Sequence, residues 1–244
     1  AEIIERHHSL SQTETWTNAV DEVKIGCNSK IHWVKLQHDS EKSALTQHSK
    51  INQEKDSRAI VHTISTGGKF LRNNLDFLLK GSGAEARMFG LSLGSDKQLI
   101  DHHTRVDHLA PNCISHEAYK GIFDDNSHGV FNGKIFVHLD AQKTQAYQQN
   151  NNLVLSEKAT IDTKPQLEIF ADDVKCSHGC TIGQLDEDAL FYLRARGIPI
   201  KEAKALLMLA FANDAIADIQ HPSLRAKLSE LIGLNLGVDM SSAF

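Results

Sequence analysis

The amino-acid sequence predicts an all-β core followed by a small C-terminal α-helical domain. Up to residue 185, short segments of mixed β-branched, aromatic and polar residues follow one another, each with the length of a strand. No convincing amphipathic helix lies between these segments. After residue 185, apolar residues recur at the spacing of an α-helix. The expected domains are therefore residues 1–185, all-β, and residues 186–244, helical.

The predicted strands are bounded mostly by Gly, Asn, Asp or Ser, which favour turns. They cover residues 2–8, 16–25, 30–36, 58–64, 84–93, 98–109, 133–139, 151–155 and 166–170. The chain starts at Ala1, without Met, and enters the first strand at once. We therefore expect it to be a piece of a longer protein.

Side-chain amides indicate the architecture of the β core. Residues 49–53 and 144–152 are rich in Asn and Gln, which suits stacked coils whose amides form ladders between turns. The aromatic share of 6% is low for a sandwich core. A parallel β-helix buries one narrow apolar face per turn and needs several turns for stability. The sequence favours this architecture modestly over a jelly roll or a cupin-like barrel.

The helical part is predicted to contain three helices. The first lies between Asp186, which is placed to cap it, and Gly197, which ends it. The second begins at Pro199, and its apolar positions continue to Ile219. The third covers residues 223–234, after a helix-breaking proline.

Composition and charge exclude several classes of protein. The chain has 26 Lys and Arg against 31 Asp and Glu, so its net charge of −5 gives no global attraction to nucleic acid or anionic lipid. It has no apolar stretch of about 18 residues and no signal-peptide pattern. We therefore expect a cytoplasmic protein that contacts neither membrane nor nucleic acid. Its four cysteines are expected to be free thiols.

Histidine is over-represented, with 14 copies. Imidazole titrates near neutrality and binds metals, so metal, proton-transfer and pH-switch hypotheses all stay open. The densest group, at residues 101–108, reads DHHTRVDH. Strand alternation places His102 and His108 on one face and His103 on the other, so no face collects three histidines. We expect a hydrogen-bonded, solvent-facing surface here, and surface or ladder positions for most other histidines.

A second group consists of Cys176, His178 and Cys180, at two-residue steps. In a strand these side chains share one face, and thiolate with imidazole suits Fe or Zn. Same-face positions lie about 6.6 Å apart and point in parallel, so a complete site needs ligands from another strand or subunit. The alternative is two small buried cysteines beside a structural histidine. Nucleophile-elbow, HExxH and P-loop signatures are missing.

A long motif occupies residues 175–198 and reads KCSHGCTIGQLDEDALFYLRARGI. It closely resembles the C-terminal signature of the SufB/SufD family of iron-sulfur cluster assembly proteins. Two upstream pieces agree: DHLAPN at residues 107–112, and YKGIFDD at 119–125 followed by GVFNGK at 129–134. The motifs are ordered as in the family, and the similarity extends over the whole chain.

The resemblance implies a right-handed parallel β-helix followed by a small helical domain. It also implies a non-catalytic scaffold subunit of the SufBCD complex, whose partners are the SufC ATPase and the SufB scaffold. Residues 186–219 would bind SufC. Within them, the docking residues would be Asp186, Phe191, Tyr192, Arg194, Arg196 and Gly197. The β-helix edge at residues 162–181 would pair with SufB, or with a second copy of the chain in isolation.

Within the family, the chain resembles the SufD type. Residues 148–155 match the SufB strand that carries a cluster-building cysteine, but they contain none, and Gly179 stands where SufB has Glu. By resemblance, His178 takes part in cluster assembly at the interface with the partner, and Cys176 matches a nearby family cysteine. Cys180 is assigned no role. The isolated chain is expected to hold no metal, and the nascent iron-sulfur cluster would lie at the interface of the complex.

Two other functions are kept as alternatives. A stand-alone β-helix enzyme acting on polysaccharide would need an acid pair or a Ca²⁺ site along one groove. Its candidate acids are Asp101, Asp107, Asp124 and Asp125. A His/Cys metal-binding module would hold stoichiometric Fe or Zn by itself.

Overall fold

The structure, a computed structural model, describes residues 1–9, 11 and 13–237 of the chain. Within them, β-strands are followed by three α-helices. The strands are β1 (Glu2–His7), β2 (Thr15–Ile25), β3 (Lys30–Gln37), β4 (Ser43–Gln53), β5 (Arg58–Thr66), β6 (Phe70–Leu79), β7 (Glu85–Gly94), β8 (Leu99–His108), β9 (Ile114–Phe123), β10 (His128–Val137), β11 (Thr144–Val154), β12 (Thr160–Ile169) and β13 (Val174–Gly183). The helices are α1 (Glu187–Ala195), α2 (Ile200–Asn213) and α3 (Pro222–Asn235).

The strands wind into a coil with two parallel sheets. Odd-numbered strands form a seven-stranded sheet, here sheet A, that runs from β1 to β13. Even-numbered strands form a six-stranded sheet, here sheet B, that runs from β2 to β12. Every strand pair is parallel. The predicted parallel β-helix, here of about 6 turns, is confirmed, and the antiparallel jelly roll and cupin-like barrel are excluded.

Asn and Asp residues turn the chain at one corner of the coil. Asn28, Asp56 and Asn112 have φ angles of 56°, 53° and 60°. Asn and Asp adopt this left-handed region more readily than other residues with a side chain. The N–H group of Asn28 donates to the Lys55 carbonyl at 3.0 Å, and that of Asn112 to the Gln142 carbonyl at 2.9 Å. The corners of successive turns are therefore stacked by hydrogen bonds.

The inward-facing side chains form columns, because each residue pairs in register with one residue of the next turn. Trp33, Val61 and Met88 form an apolar column on sheet A. Phe77 and Ile135 belong to a facing column on sheet B. These columns bury the main hydrophobic core along the axis of the coil.

Helices α2 and α3 pack on the outer face of sheet A. Leu209 and Ile216 share a buried hydrophobic cluster with Ile64 and Leu91 of that sheet. The amine of Lys120, on β9, fastens α2 by donating to the Phe211 carbonyl at 3.1 Å and to Asp214 at 2.7 Å. The division into two domains at residue 185 stays a prediction, although the strands end and the helices begin on either side of it.

Helix α1 begins and ends as predicted. The Asp186 carboxylate accepts hydrogen bonds from the N–H groups of Asp188 and Ala189 at 2.9 and 3.0 Å. After the helix, Gly197 has a φ angle of +84°, which glycine adopts at no steric cost.

The predicted extension of the second helix to Ile219 is wrong. Helix α2 ends at Asn213, and the chain continues in tight turns in which Ile216 donates to the Asn213 carbonyl at 3.1 Å. The apolar periodicity persists because Ala215, Ile216 and Ile219 are still buried against sheet A and α3. Burial alone therefore does not establish a helix.

Strands β6 and β9 were not expected from the sequence, β4 was indicated only by the amide-rich residues 49–53, and β13 was considered only as one possible conformation of the segment around Cys176. On β9, Ser115 and Glu117 are fully buried and face inward, whereas the apolar Ile114 is exposed. The alternation of apolar and polar residues that marks a strand is thereby reversed.

Candidate functional site at the last turn of the coil

The last turn of the coil, strands β12 and β13, has a neighbouring turn on one side only among the described residues. Its edge exposes unpaired backbone groups, which can accept a further strand. Apolar side chains also reach solvent here: Ile169, Phe170 and Ile182 are 39%, 56% and 54% exposed. The predicted interface, residues 162–181, lies on this turn.

Cys176, His178 and Cys180 lie on the inward face of β13, as alternation predicted. They pair in register with the buried residues Ala146, Gln148 and Asn150 of β11. Because no later turn covers β13, His178 and Cys180 are exposed at the open end of the coil. The expectation that these three side chains share a face is confirmed.

The two cysteines differ in environment. Cys176 packs against the hydrophobic core, and this burial raises the pKa of its thiol, against a smaller opposing effect of a hydrogen bond with the Ala146 backbone. Cys180 is exposed, and all four cysteines are free thiols. Cys176 therefore keeps its proton at neutral pH and becomes a thiolate only when something replaces that proton.

This strand does not assemble a metal centre from its own side chains. In the part of the chain that the structure describes, no three His, Cys, Asp or Glu side chains are grouped around a common point. The reason on β13 is spacing, since same-face positions lie about 6.6 Å apart. The geometry is that of a partial ligand set.

A buried acid lies two turns behind His178. Gln148 pairs in register with His178 on one side and with Glu117 on the other, and its Nε2 donates to Glu117 Oε2 at 2.6 Å. Burial raises the pKa of Glu117 to about 7, although the neighbouring Thr104 and Gln148 side chains lower it. Sequence reasoning missed Glu117, and only the register of the strands identifies it.

The histidine group at residues 101–108 divides between two faces, as predicted. On the outer face, Asp101 pairs with His103 at 3.0 Å and Asp107 with Arg105 at 2.8 Å. The expectation that the whole group faces solvent is wrong, because His102 is buried inside the coil. Burial lowers the pKa of His102 to about 3, so it is neutral at neutral pH.

Other histidines are also structural. His32 and His62 are buried, with Nε2 of His32 at 3.1 Å from Nδ1 of His62. The ring of His62 stacks on Phe89 at 4.8 Å. Burial, together with the neighbouring His32, lowers the pKa of His62 to about 3. His32 and His62 alternate with the inward-facing Trp33 and Val61, so they lie on the outer face of sheet A. They are buried there because the helices pack on that face, and a surface position, one of the two expected for these histidines, is wrong for them.

The acids considered for a polysaccharide site have structural partners. Asp101 accepts from Arg72 at 2.8 Å. In the turn after β9, the side chain of Asp124 accepts from the N–H of Asp125, and that of Asp125 from the N–H of Asp96. Each carboxylate stabilises a strand or a corner of the coil.

Sequence reasoning also missed a charged group at the other end of the coil. The amine of Lys35 is buried, 2.5 Å from the Ser49 hydroxyl and 3.9 Å from Asp21. Gln47 donates to Asp21 at 2.8 Å and to Glu5 at 2.7 Å. Burial lowers the pKa of Lys35 to about 8, although Glu5 and Asp21 raise it.

Helix α1 carries the residues expected to dock the ATPase subunit. It has no buried side chain, and all its residues lie in the described part of the chain. Phe191 and Tyr192 are 74% and 56% exposed, and the Arg196 guanidinium lies 3.4 Å from the centre of the Tyr192 ring. Arg194 lies in the last turn of the helix. The docking role of these residues stays a prediction.

Comparison with known proteins places this arrangement in a family. The core domain described as "SUF system FeS cluster assembly, SufBD core domain" matches residues 1–211, which include every strand and α1. The chain belongs to the SufBD family. The resemblance of residues 175–198 to this family is thereby confirmed.

Among the SufBD relatives, the iron-sulfur cluster assembly protein SufD of Escherichia coli is 34% identical over 236 residues, or 97% of this chain and 56% of the relative. A SufBD family protein of Synechocystis is 37% identical over 91% of this chain and 49% of its own length. The chloroplastic protein ABCI7 of Arabidopsis thaliana is 36% identical over 86% of this chain and 44% of its own. The chain thus spans about half the length of the curated SufBD relatives that it matches. None of the described helices of this SufBD chain has the length and apolar character of a membrane span.

Proposed function

We propose that this chain is a non-catalytic scaffold subunit for iron-sulfur cluster assembly. It would pair with a SufB-type scaffold through the last turn of its coil and bind a SufC-type ATPase through α1 and α2. The observation that carries the proposal is the open last turn of a SufBD-family coil, with His178 exposed on its inward face. The four free thiols fit a reducing compartment, and we propose the cytoplasm.

The pairing with a second scaffold is supported by what β12 and β13 expose. Their free edges offer backbone hydrogen bonds, and Phe170 and Ile182 offer apolar surface. A second coil placed on this end would cover His178 and supply the thiolate and carboxylate that β13 lacks. A buried interface would also exclude water and oxidants from the nascent cluster. In isolation, a second copy of the chain would occupy the same surface.

His178 and Cys176 have different roles in this proposal. A neutral imidazole offers a lone pair to iron without losing a proton, and His178 is exposed where the cargo cluster would form. The Cys176 thiol must first lose a proton, which its burial opposes. Cluster binding would drive this release, because the ligand is the thiolate. His178 is therefore the first ligand offered by this chain.

The ATPase docking site is supported by α1. This helix is short, has no buried side chain and exposes two aromatic rings side by side, which is typical of a surface that a partner covers. Phe191 and Tyr192 are the anchors that a partner would cover, and Arg196 holds the Tyr192 ring in place by stacking.

A reconstitution with the ATPase and the sister scaffold tests the proposal. We expect the His178→Ala chain to be retained in the complex as well as wild type, while cluster assembly falls at least tenfold. Ser177→Ala is the matched control, because Ser177 lies on the same strand but faces outward. Unimpaired cluster assembly with the His178→Ala chain would contradict the proposed role of the last turn.

The same reconstitution tests the helical docking site with the double variant Phe191→Ala and Tyr192→Ala. Both side chains are largely exposed, so we expect the stability of the chain to be unchanged and retention of the ATPase to fall. Normal retention would show that the ATPase binds elsewhere.

A further inference from the structure

One column of inward-facing residues ends at His178. Glu117 on β9, Gln148 on β11 and His178 on β13 pair in register, one residue per turn. Adjacent strands lie about 4.8 Å apart, so side chains in one column are in contact range of their neighbours. Gln148 is therefore the side chain directly behind His178.

Burial of Gln148 shows that the last turn covers it. Gln148 is only 1% exposed, although it lies one turn from the open end. Its amide occupies space on the facing sheet that Gly133 leaves empty, since a Cβ at Gly133 would lie 2.3 Å from its Nε2. The amide is thus held in the interior, beneath the inward side chains of β13.

The two ends of the Gln148 amide differ in their partners. Its Nε2 donates to Glu117, which fixes the orientation of the group. Its Oε1 is buried, and the described residues provide it with no donor. A buried acceptor without a donor is costly, so this oxygen is a strong acceptor for any N–H group that comes within reach.

In the structure the exposed ring of His178 makes no hydrogen bond to this oxygen. We propose that Gln148 is a positioning residue for His178, whose ring turns inward so that one of its N–H groups donates to Gln148 Oε1. The opposite ring nitrogen then keeps its lone pair and faces out of the coil, toward the partner. Histidines that bind metals are commonly oriented in this way by an acceptor on the other nitrogen. The inference deepens the proposed function and rests on it for the role of His178, but the hydrogen bond itself belongs to this chain alone.

Nitrogen-15 NMR of the histidine side chains in the full chain, without partners, tests the proposal. We expect one neutral tautomer of His178 to dominate in wild type. In Gln148→Met, which keeps the volume and removes the acceptor, the tautomer ratio should shift about fivefold, the value of one hydrogen bond of ordinary net strength. Gln149→Met is the matched control, because the neighbouring Gln149 is exposed and faces outward.

An unchanged tautomer ratio in folded Gln148→Met would overturn the proposal. This is the result expected if the acid proton of Glu117, and not a ring N–H of His178, is donated to Gln148 Oε1. A measurement on wild type covers the case in which the variant does not fold. The ring protons of His178 should then show nuclear Overhauser contacts with the Gln148 side chain, and their absence would also overturn it. Because no partner is present, this result is independent of whether the ATPase or the second scaffold binds.

Discussion

Glu117 is an acidic residue whose side chain lies in the interior of the coil. A carboxyl group inside the coil, 1% exposed and beside the uncharged side chains of Gln148 and Thr104, loses its hydration without gaining a cation. Its pKa of about 7 follows from this burial. The folded chain therefore holds a proton there at a pH at which an exposed carboxyl has lost it.

The pH dependence of stability should carry the signature of Glu117. Its pKa is raised from 4.5 to about 7 in the fold, so the stability it contributes is complete below pH 4.5 and is lost as the pH rises through 7. We expect Glu117→Gln, which cannot ionise, to gain about 3 kcal/mol in unfolding free energy relative to wild type between pH 4.5 and pH 8. Urea denaturation at several pH values measures this difference.

Glu157→Gln is the control for that series, because Glu157 is an exposed acid in a turn. Its difference from wild type should be flat over the same range. A flat difference for Glu117→Gln as well would show that Glu117 is ionised in the folded chain.

Sequence alone could predict that Cys176, His178 and Cys180 share a face, since this needs only the alternation of a strand. It could not identify Glu117 or Gln148 as their neighbours. Gln148 lies about thirty and Glu117 about sixty positions before His178, and only the pairing of β9, β11 and β13 brings them into one column.

At the scale of elements, the helices differ in how they are attached to the coil. Helix α2 shares buried apolar residues with sheet A and is fastened by Lys120, whereas α1 has no buried side chain. Lys120 also lies over the Phe211 ring, 4.4 Å from its centre. The Lys120 amine is therefore the main polar attachment between β9 and α2.

Removal of this attachment should loosen the helices without disturbing the coil. We expect Lys120→Met to lower hydrogen-exchange protection in α2 and α3, corresponding to about 1–2 kcal/mol, while the strands keep theirs. Lys134→Met is the matched control, because Lys134 also pairs with an acid at 2.7 Å and lies near a phenylalanine ring, but on sheet B. Equal effects of the two variants on α2 would contradict this role of Lys120.

The elements themselves could be predicted in part. The cap at Asp186 and the stop at Gly197 follow from local chemistry, and both bounds of α1 were correct. Strand β9 was missed because Ser115 and Glu117 point into the coil, and the end of α2 because Ile216 and Ile219 stay buried after the helix has ended. In both places tertiary contacts determine which side chains are buried, so the apolar pattern of the sequence predicts the wrong element or the wrong end.

At the scale of the molecule, the two ends of the coil differ in chemistry. At the β1 and β2 end, buried Lys35 with Glu5 and Asp21 fills the interior with a charged, hydrogen-bonded group. At the β12 and β13 end, the interior residues His178 and Cys180 are exposed. The proposed interface accordingly lies at the second end.

Self-association through that end should respond to charge placed there. We expect Phe170→Glu to weaken any dimer of the isolated chain at least tenfold, because Phe170 is 56% exposed beside β12 and a partner would desolvate the new carboxylate. Sedimentation over a range of concentrations measures this. Val20→Glu, at an exposed apolar position on β2, is the control, and equal weakening by both would place the contact elsewhere.

The position of β13 in the terminal turn of the coil determines how readily the strand that carries His178 opens. In a linear array each repeat is held by its neighbours, and a terminal repeat has only one. Opening free energies are lowest at such ends, so β13 frays before the interior turns do. A partner docked on β13 would act as the missing neighbour and raise the free energy of this opening. The second scaffold would then lengthen the time for which the histidine strand stays closed, and the ligand set would be most persistent where it is also sheltered from water.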